Sequence, residues 1–260
     1  MLKQKLKIVK IGGNVINNKE ALSSFLVNFS MISGAKILVH GGGKRASEMI
    51  SALGLKPKMV HGRRVTDESS LEVVTMVYAG LLNKNITAEL QKNNCNAIGL
   101  SGADANTILA HKRIVKDVDY GFAGDVDRVN PNIIKVLIDN ELTPVFCAIT
   151  HDKNGQLLNT NADTIAAELA KGMSEHFEVE LIYCFEKLGV LADVDNDATL
   201  IEKIDFISLS FLKKANIISE GMLPKIDNCF DALQNGVAKV IIGKPEVIAD
   251  DNLKHTILVL

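Results

Sequence analysis

The sequence predicts an α/β protein: a central, mainly parallel β-sheet with helices on both faces, which makes a sandwich of three layers. Apolar runs of strand length alternate with segments of helical spacing along the 260 residues, the pattern typical of parallel sheets. The runs around Val39 and Val145 are apolar without alternation, as expected of strands covered on both faces. No linker, tandem repeat or low-complexity segment interrupts this pattern, so we expect a single domain.

The first predicted strand, Lys7–Ile11, carries Lys10 and ends in Gly12 and Gly13. Glycines let backbone N–H groups approach a phosphate and a lysine adds a full positive charge, so this strand end is predicted to meet an anion. Taken alone, the stretch favours a simpler interpretation, a strand, a turn and a solvated lysine. A helix over residues 19–32 follows, with apolar residues at helical spacing.

The second predicted strand, Ala35–His40, runs into Gly41-Gly42-Gly43 and then into a helix from Lys44 to about Leu53. This order directs free N–H groups and a helix N-terminus at the carboxyl edge of the sheet. Two such loops predict two anionic groups held close together. The triple glycine matches neither a dinucleotide fingerprint, because the required acidic residue is missing, nor a P-loop, because Lys44 is not followed by Ser or Thr.

Residues 57–66 are predicted to form a short β excursion that turns at His61-Gly62. Its arginines, Arg63 and Arg64, are candidates for binding a carboxylate, since a guanidinium donates two parallel hydrogen bonds, and we expect one of the pair to be merely solvated. Thr66, Asp67 and Glu68 offer a cap for the next helix.

The remaining chain continues the alternation. Residues 107–130 lack a helical period and predict a small antiparallel excursion, and residues 157–163 deliver polar groups directly before a helix. Further helices are predicted over residues 68–81, 86–92, 164–170, 207–213 and 227–234, and further strands over residues 97–100, 143–149, 179–185 and 237–242. Another helix, which reaches Ile138, is predicted to start at Asn130-Pro131-Asn132, where a proline suits the first turn.

Composition excludes several classes of function. The net charge is −2 and aromatic residues make up 5% with no Trp, which argues against a nucleic-acid partner. The longest apolar runs, such as Pro144–Ile149, are too short to cross a bilayer, and residues 1–10 lack the apolar core of a signal peptide. We therefore expect a cytoplasmic protein without a membrane partner. The four cysteines and six histidines lack metal-site spacing, so buried reduced thiols and no metal site are expected.

Seven short strings, taken together and in order, resemble the amino acid kinase family, and within it are most like the N-acetylglutamate kinases of arginine biosynthesis. They are IVKIGGN (8–14), LVHGGGK (38–44), HGRRVT (61–66), GLSGADA (99–105), GFAGDVDRVN (121–130), LNTNADT (158–164) and GMLPKI (221–226). The resemblance implies the carbamate kinase-like fold of that family over residues 1–260. It further implies an acyl-amino-acid-binding half over about 1–170 and an ATP-binding half over about 171–260.

The resemblance implies that ATP and Mg²⁺ are used to phosphorylate the side-chain carboxylate of an N-acylated glutamate. A carboxylate is ionised at neutral pH, so this nucleophile needs no general base. The site must instead align two anions that repel each other and absorb charge on the transferring phosphoryl group, for which lysines and backbone N–H groups are suited. N-acetyl-L-glutamate is the default substrate. A longer acidic acyl group such as succinyl would need only a few changed side chains and one extra cation.

By similarity, Lys10 and Lys225 flank the phosphoryl group, and Asp163 lies between the two lysines and orients both. Other implied site residues are phosphate-binding Gly12, Gly13 and Gly42, substrate-binding Gly42, Gly43, Arg64 and Asn159, and nucleotide-binding Glu186 and Gly189. Two simpler interpretations stay open: Lys225 as a solvated helix residue and Asp163 as a helix cap.

The segment Phe185-Glu186-Lys187 departs from the family pattern, which has a small hydroxyl residue and an aspartate at this point. Glu186 would replace the aspartate with one extra methylene. This departure motivates an alternative in which the chain is a non-catalytic amino acid or nucleotide sensor. An aspartate, glutamate or carbamate kinase is a further alternative, which the segment at 58–66 disfavours. The short N-terminus leads us to expect a homodimer without arginine feedback.

Overall fold

A computed structural model describes residues 3–215, 217, 222–250 and 252–260. The strands are β1 (Gln4–Ile11), β2 (Ala35–His40), β3 (Lys58–Val60), β4 (Arg63–Val65), β5 (Ala97–Leu100), β6 (Ile108–Lys112), β7 (Ala123–Val129), β8 (Thr143–Phe146), β9 (Ile149–His151), β10 (Leu157–Thr160), β11 (Phe177–Cys184), β12 (Lys203–Ile204), β13 (Lys239–Gly243) and β14 (Thr256–Leu258). The α-helices are α1 (Gly13–Asn17), α2 (Lys19–Met31), α3 (Gly43–Ala52), α4 (Glu68–Thr75), α5 (Asn83–Lys92), α6 (Pro131–Asp139), α7 (Ala162–Met173), α8 (Phe206–Lys214) and α9 (Leu223–Gln234), and a π-helix over Met76–Leu82 joins α4 to α5.

Within the described residues, eight strands form the central sheet in the order β12-β14-β13-β11-β1-β2-β8-β5. Every neighbouring pair is parallel except β13 with β14. Consecutive residues of β1 point to opposite faces: Ile8 and Val9 are both fully buried and belong to two different hydrophobic clusters. This confirms the predicted α/β fold with a core on each side of a mainly parallel sheet.

A second, smaller sheet of β6, β7, β9 and β10 closes on itself beside the carboxyl end of the central sheet. Strands β6 and β7 are antiparallel, which confirms the excursion predicted over residues 107–130. The hairpin β3–β4 is also antiparallel and turns at His61 and Gly62, as predicted. These two pieces supply the walls of the cavity described below.

Local hydrogen bonds explain where several helices begin. The side chain of Asn18 accepts from the Ala21 N–H before α2, and that of Asp67 accepts from the Ser70 N–H before α4. Of the three candidate cap residues at 66–68, Asp67 is therefore the one that caps. Among the described residues, the helices are each too short or too polar to span a bilayer.

The prediction of one continuous strand over residues 143–149 is wrong. Strand β8 ends at Phe146, and after two residues the chain enters β9 of the smaller sheet. The carbonyl of Ala148 accepts from the Thr160 N–H at 3.1 Å, which ties the crossing segment to β10. Both strands are buried, so the apolar run carries no sign of the change of sheet.

Other boundaries also differ from the predictions. The helices predicted to start at residues 164 and 227 begin at Ala162 and Leu223, and β14 was not predicted. Residues 219–221, which hold part of the loop before α9 and the first residue of the GMLPKI string, lie outside the described residues. All four cysteines are free and buried, as expected.

Candidate active site

Two lysines and one aspartate, widely separated in the chain, meet at the carboxyl edge of the central sheet. Lys10 lies near the end of β1, and its Nζ is 2.7 Å from Oδ1 of Asp163. Nζ of Lys225 is 3.9 Å from the other carboxylate oxygen, Oδ2. The structure therefore places Asp163 between the two ammonium groups, as the resemblance implies.

Asp163 stands in the first turn of α7, but it is not the cap of that helix. The cap is Asn161, whose side chain accepts from the N–H groups of Asp163 and Thr164 at 2.7 and 3.2 Å. The hydroxyl of Tyr183 donates to the Asp163 carbonyl oxygen at 3.1 Å and fixes its backbone from β11. The carboxylate is thus left to face the lysines, near the helix N-terminus, where the dipole attracts a negative charge.

The Lys225 side chain is about one-third exposed and is not a freely solvated helix residue. Burial removes water from its ammonium group and so lowers the pKa of Lys225. The nearby charge of Lys10 also lowers this pKa, whereas the carboxylates of Asp163 and Glu186 oppose the shift. Two cations share one carboxylate here, which leaves an excess of positive charge for an anionic ligand.

The glycine loops lie at the ends of β1 and β2. Gly43 is the first residue of α3 and Gly13 the first of α1, positions whose N–H groups have no partner inside the helix. A Cβ atom at Gly42 would lie 2.9 Å from Cδ1 of Tyr78, so the π-helix excludes a side chain there. The N–H of Gly12 donates to the Cys184 carbonyl at 3.1 Å, so it is engaged within the fold, unlike the free donor expected from the sequence.

A buried histidine supports the second glycine loop, and sequence reasoning did not identify it. His40 is fully buried; its Nδ1 is 2.8 Å from the Gly41 carbonyl and its Nε2 is 3.1 Å from Nδ2 of Asn83. Burial lowers the pKa of His40 to about 4, so the ring is neutral at neutral pH. The donor at Nδ1 then binds Gly41 while Nε2 accepts from Asn83, which fixes the peptide that leads into Gly42.

A cavity of about 210 Å³ opens beside this loop, and its lining includes Gly42, Gly43, Arg64 and Asn159. Arg64 is buried, and its Nη2 donates to the Gly43 carbonyl at 2.8 Å and to Ser47 Oγ at 2.7 Å. Its Nε and Nη1 are buried without a hydrogen-bond partner among the described residues. Such donors are costly unless a ligand satisfies them, so Arg64 is prepared for an anion.

Two neighbouring residues complete the wall around Arg64. Asn159, on β10, donates from Nδ2 to Thr66 Oγ1 at 2.9 Å. Arg63, next to Arg64 in the hairpin, is exposed at the cavity rim. The hairpin thus buries one guanidinium and leaves the other in solvent, which is the division expected from the sequence.

Arg113 also lines this cavity, and the sequence carried no local signal for it. Its Nε lies 3.1 Å from both carboxylate oxygens of Asp125, and its guanidinium carbon is 5.7 Å from the centre of the Tyr120 ring. Arg113, Arg63 and Tyr120 also line a second cavity of about 600 Å³. Arg63 and Arg113 therefore lie where the two cavities meet.

The two residues implied in nucleotide binding differ in their surroundings. Glu186 is exposed, and its negative charge is close enough to Lys225 to raise the pKa of that lysine. Gly189 is buried, and a Cβ atom there would lie 2.8 Å from the Thr256 backbone nitrogen. The close approach of β14 is therefore sufficient to explain why residue 189 is a glycine.

Comparison with known proteins decides the family. The model of the amino acid kinase family matches residues 5–244. The chain belongs to the amino acid kinase family. The acetylglutamate kinase of Cytophaga hutchinsonii is 51% identical to this amino acid kinase over 248 residues, covering 95% of the chain and 94% of the relative.

Solved structures agree with this assignment. A Streptococcus mutans crystal structure is 25% identical, covers 98% of both chains and superposes with a TM-score of 0.78. Carbamate kinase from Giardia lamblia bound to AMP-PNP, 16% identical, covers 98% of each chain with a TM-score of 0.70. At that identity the likeness concerns the fold alone, which is therefore carbamate kinase-like.

Proposed function

We propose that this amino acid kinase transfers the terminal phosphoryl group of ATP to the side-chain carboxylate of N-acetyl-L-glutamate. The product would be N-acetyl-L-glutamyl 5-phosphate, an intermediate of arginine biosynthesis. The relative from Cytophaga hutchinsonii, half identical over nearly the whole chain, carries the name acetylglutamate kinase. The observation that carries the proposal is that Lys10 and Lys225 meet Asp163 at the start of α7. The first residue of that helix, Ala162, also lines the cavity that holds Arg64, whose Nε and Nη1 are buried and unsatisfied.

The residues of the site have distinct tasks in this reaction. The ammonium groups of Lys10 and Lys225 neutralise the anions that must approach each other and stabilise charge on the transferring group. Asp163 keeps the two cations together at 2.7 and 3.9 Å and takes no proton, because the attacking carboxylate is already ionised. The N–H groups of Gly13, Gly42 and Gly43 would donate to phosphate oxygens.

The substrate is held by its α-carboxylate. Arg64 offers the two unsatisfied nitrogens Nε and Nη1, which donate on different sides of the guanidinium, so the carboxylate would accept from one of them and a second ligand oxygen from the other. Asn159 adds an amide from β10 to the same cavity. These contacts would leave the side-chain carboxylate free to face the lysine cluster, with the acyl-amino-acid-binding half spanning about residues 1–170.

The nucleotide would bind over the C-terminal half, about residues 171–260, where Glu186 and Gly189 were implied. Within the described chain, no three His, Cys, Asp or Glu side chains gather so as to hold a metal ion. Mg²⁺ favours phosphate oxygens and water and often uses few protein ligands, so this site is compatible with a metal that arrives on ATP. When bound, the ion would screen the phosphate charges.

N-succinyl-L-glutamate is a second candidate substrate, favoured by one observation. Arg113 lines the cavity in addition to Arg64, and Arg63 lies at its rim. A succinyl group carries a terminal carboxylate, for which such an added guanidinium is a suitable partner. Against this, the pairing of Arg113 with Asp125 already neutralises that cation.

The deciding experiment supplies Mg-ATP with N-acetylglutamate, N-succinylglutamate or free glutamate and detects the acyl phosphate as its hydroxamate. We expect activity with an acylated substrate and none with free glutamate. Activity with free glutamate alone would refute the acylated substrate, and activity with none of the three would favour a sensor. A reaction without enzyme serves as the control.

A cytoplasmic homodimer also belongs to this proposal and rests on the resemblance to the family. Light scattering coupled to size-exclusion chromatography should give twice the mass of one chain. A mass equal to that of one chain would refute the dimer and leave the catalytic proposal intact.

A further inference from the structure

The ring of Phe185 lies beside both lysines of the cluster. Nζ of Lys225 is 3.7 Å from the centre of this ring and Nζ of Lys10 is 5.6 Å from it. Both distances are within the range of cation–π attraction, in which the negative face of an aromatic ring attracts a cation. Phe185 is also the position at which the sequence departs from the family pattern.

Two contacts of Phe185, and one hydrogen bond of the tyrosine on which it stacks, hold its ring in place. It lies parallel to the Tyr183 ring, with centroids 6.1 Å apart and an interplanar angle of 4°. The hydroxyl of Tyr183 donates to the Asp163 carbonyl oxygen, which joins this stack to α7. The backbone N–H of Phe185 donates to the Gly243 carbonyl at 2.8 Å, which joins it to β13. The ring is therefore fixed relative to the cluster by three different elements.

Lys225 has this ring as a close partner in addition to its ion pair. The distance of 3.9 Å between its Nζ and Oδ2 of Asp163 is too long for a hydrogen bond. The ring face is therefore a close partner of an ammonium group that has lost much of its water. The charged groups that act on Lys225 are Asp163, Lys10 and Glu186, and the thiol of Cys229 lies near it on α9.

We propose that Phe185 is a positioning residue, whose ring face holds the Lys225 ammonium beside Asp163 in the geometry required for phosphoryl transfer. The claim that this contact matters for phosphoryl transfer rests on the proposed function. The structural part of the proposal, the contact between ring and ammonium, stands on the distances alone. A small hydroxyl residue at this position has no π face and could not make that contact.

The kinetic test compares Phe185→Leu with Phe185→Tyr. Leucine fills the space without a π face, so kcat should fall by about five- to thirtyfold, the effect of one partly desolvated cation–π contact. The KM for N-acetylglutamate should change little, because Arg64 and its cavity are untouched. Tyrosine retains the ring and should restore most of kcat. Phe211→Leu, at an exposed position on α8, is the matched control and should match wild type.

A spectroscopic test uses protein labelled with ¹³C at the lysine Cε and needs no substrate. Protons of Lys225 above the ring face should resonate upfield of the other lysines, with the signal assigned by its loss in Lys225→Arg. Phe185→Leu should return this resonance to the ordinary lysine range, and Phe185→Tyr should leave it shifted. Phe211→Leu should have no effect.

The outcomes separate this proposal from the proposed function. An unshifted Lys225 resonance in wild type, or a Phe185→Leu enzyme with wild-type kcat, would overturn the positioning role. If wild type phosphorylates no acylglutamate, the proposed function fails while the resonance still decides the contact. Should Phe185→Leu not fold, as judged by circular dichroism, Phe185→Met provides an unbranched apolar replacement for both measurements.

Discussion

Replacing Arg64 by methionine should separate ligand binding from folding, because the guanidinium is buried before any ligand arrives. Nε and Nη1 have no partner among the described residues, whereas Nη2 donates to Gly43 and Ser47. Ser47 Oγ also donates to the Gly43 carbonyl at 3.0 Å, so this carbonyl keeps a partner in the variant. Methionine occupies part of the vacated volume without a charge.

The magnitudes follow from these contacts. Two buried unsatisfied donors cost about 1–3 kcal/mol each, and the two lost hydrogen bonds from a charged group are worth about 1.5–3 kcal/mol each. The variant removes the cost of the unsatisfied donors but also loses the two hydrogen bonds. Because these two effects nearly cancel, the free energy of unfolding should stay within about 2 kcal/mol of wild type. Loss of two charge-assisted hydrogen bonds to the substrate, together worth at least about 3 kcal/mol, should lower kcat/KM by at least about a hundredfold.

The assay combines urea unfolding with steady-state kinetics. N-acetylglutamate at about a hundred times its Kd should stabilise wild type by about 2.7 kcal/mol and the variant hardly at all. Arg63→Met, at the exposed neighbour, is the matched control and should keep wild-type stability. Substrate affinity equal to wild type in Arg64→Met would refute the assigned role. A loss beyond about 4 kcal/mol of stability would show that the guanidinium holds the fold together.

Three further predictions concern other parts of the site. Lys10→Ala should lower kcat by orders of magnitude while the circular dichroism spectrum stays unchanged, and surviving turnover would refute its role. Gly42→Ala should impair activity because the new Cβ meets the Tyr78 ring; normal kinetics would show that the loop adapts. His40 is neutral when folded, with its pKa lowered to about 4 by burial, whereas the unfolded chain takes up a proton near pH 6.5. The free energy of unfolding should therefore fall by roughly 3 kcal/mol between pH 6.5 and 4, and His40→Gln should flatten this dependence, as measured by urea titrations at each pH.

Features set by local chemistry could be predicted from the sequence. Lys10 and the glycines that follow it sit where a strand gives way to a turn, and the spacing of residues is enough to show this. Asp67 and Pro131 mark helix starts through their own side chains and backbone constraints. The alternation of strand and helix likewise required no knowledge of distant contacts.

Features that depend on distant packing could not be predicted. The change of sheet after Phe146 is invisible because strands buried in either sheet have the same apolar composition. Burial distinguishes Arg64 from Arg63, and the buried guanidinium has its hydrogen-bond partners, Gly43 and Ser47, on another element. His40 and Arg113 likewise acquire their partners only when Asn83 and Asp125 are brought near by folding.

Strand β1, which carries Lys10, has parallel partners on both sides, β11 and β2. Amide protons in such a central strand escape exchange with solvent unless the whole domain opens. The backbone of Lys10, a member of the proposed catalytic cluster, is therefore expected in a highly protected part of the molecule. Partial opening at the periphery would leave the backbone that carries this ammonium group in place.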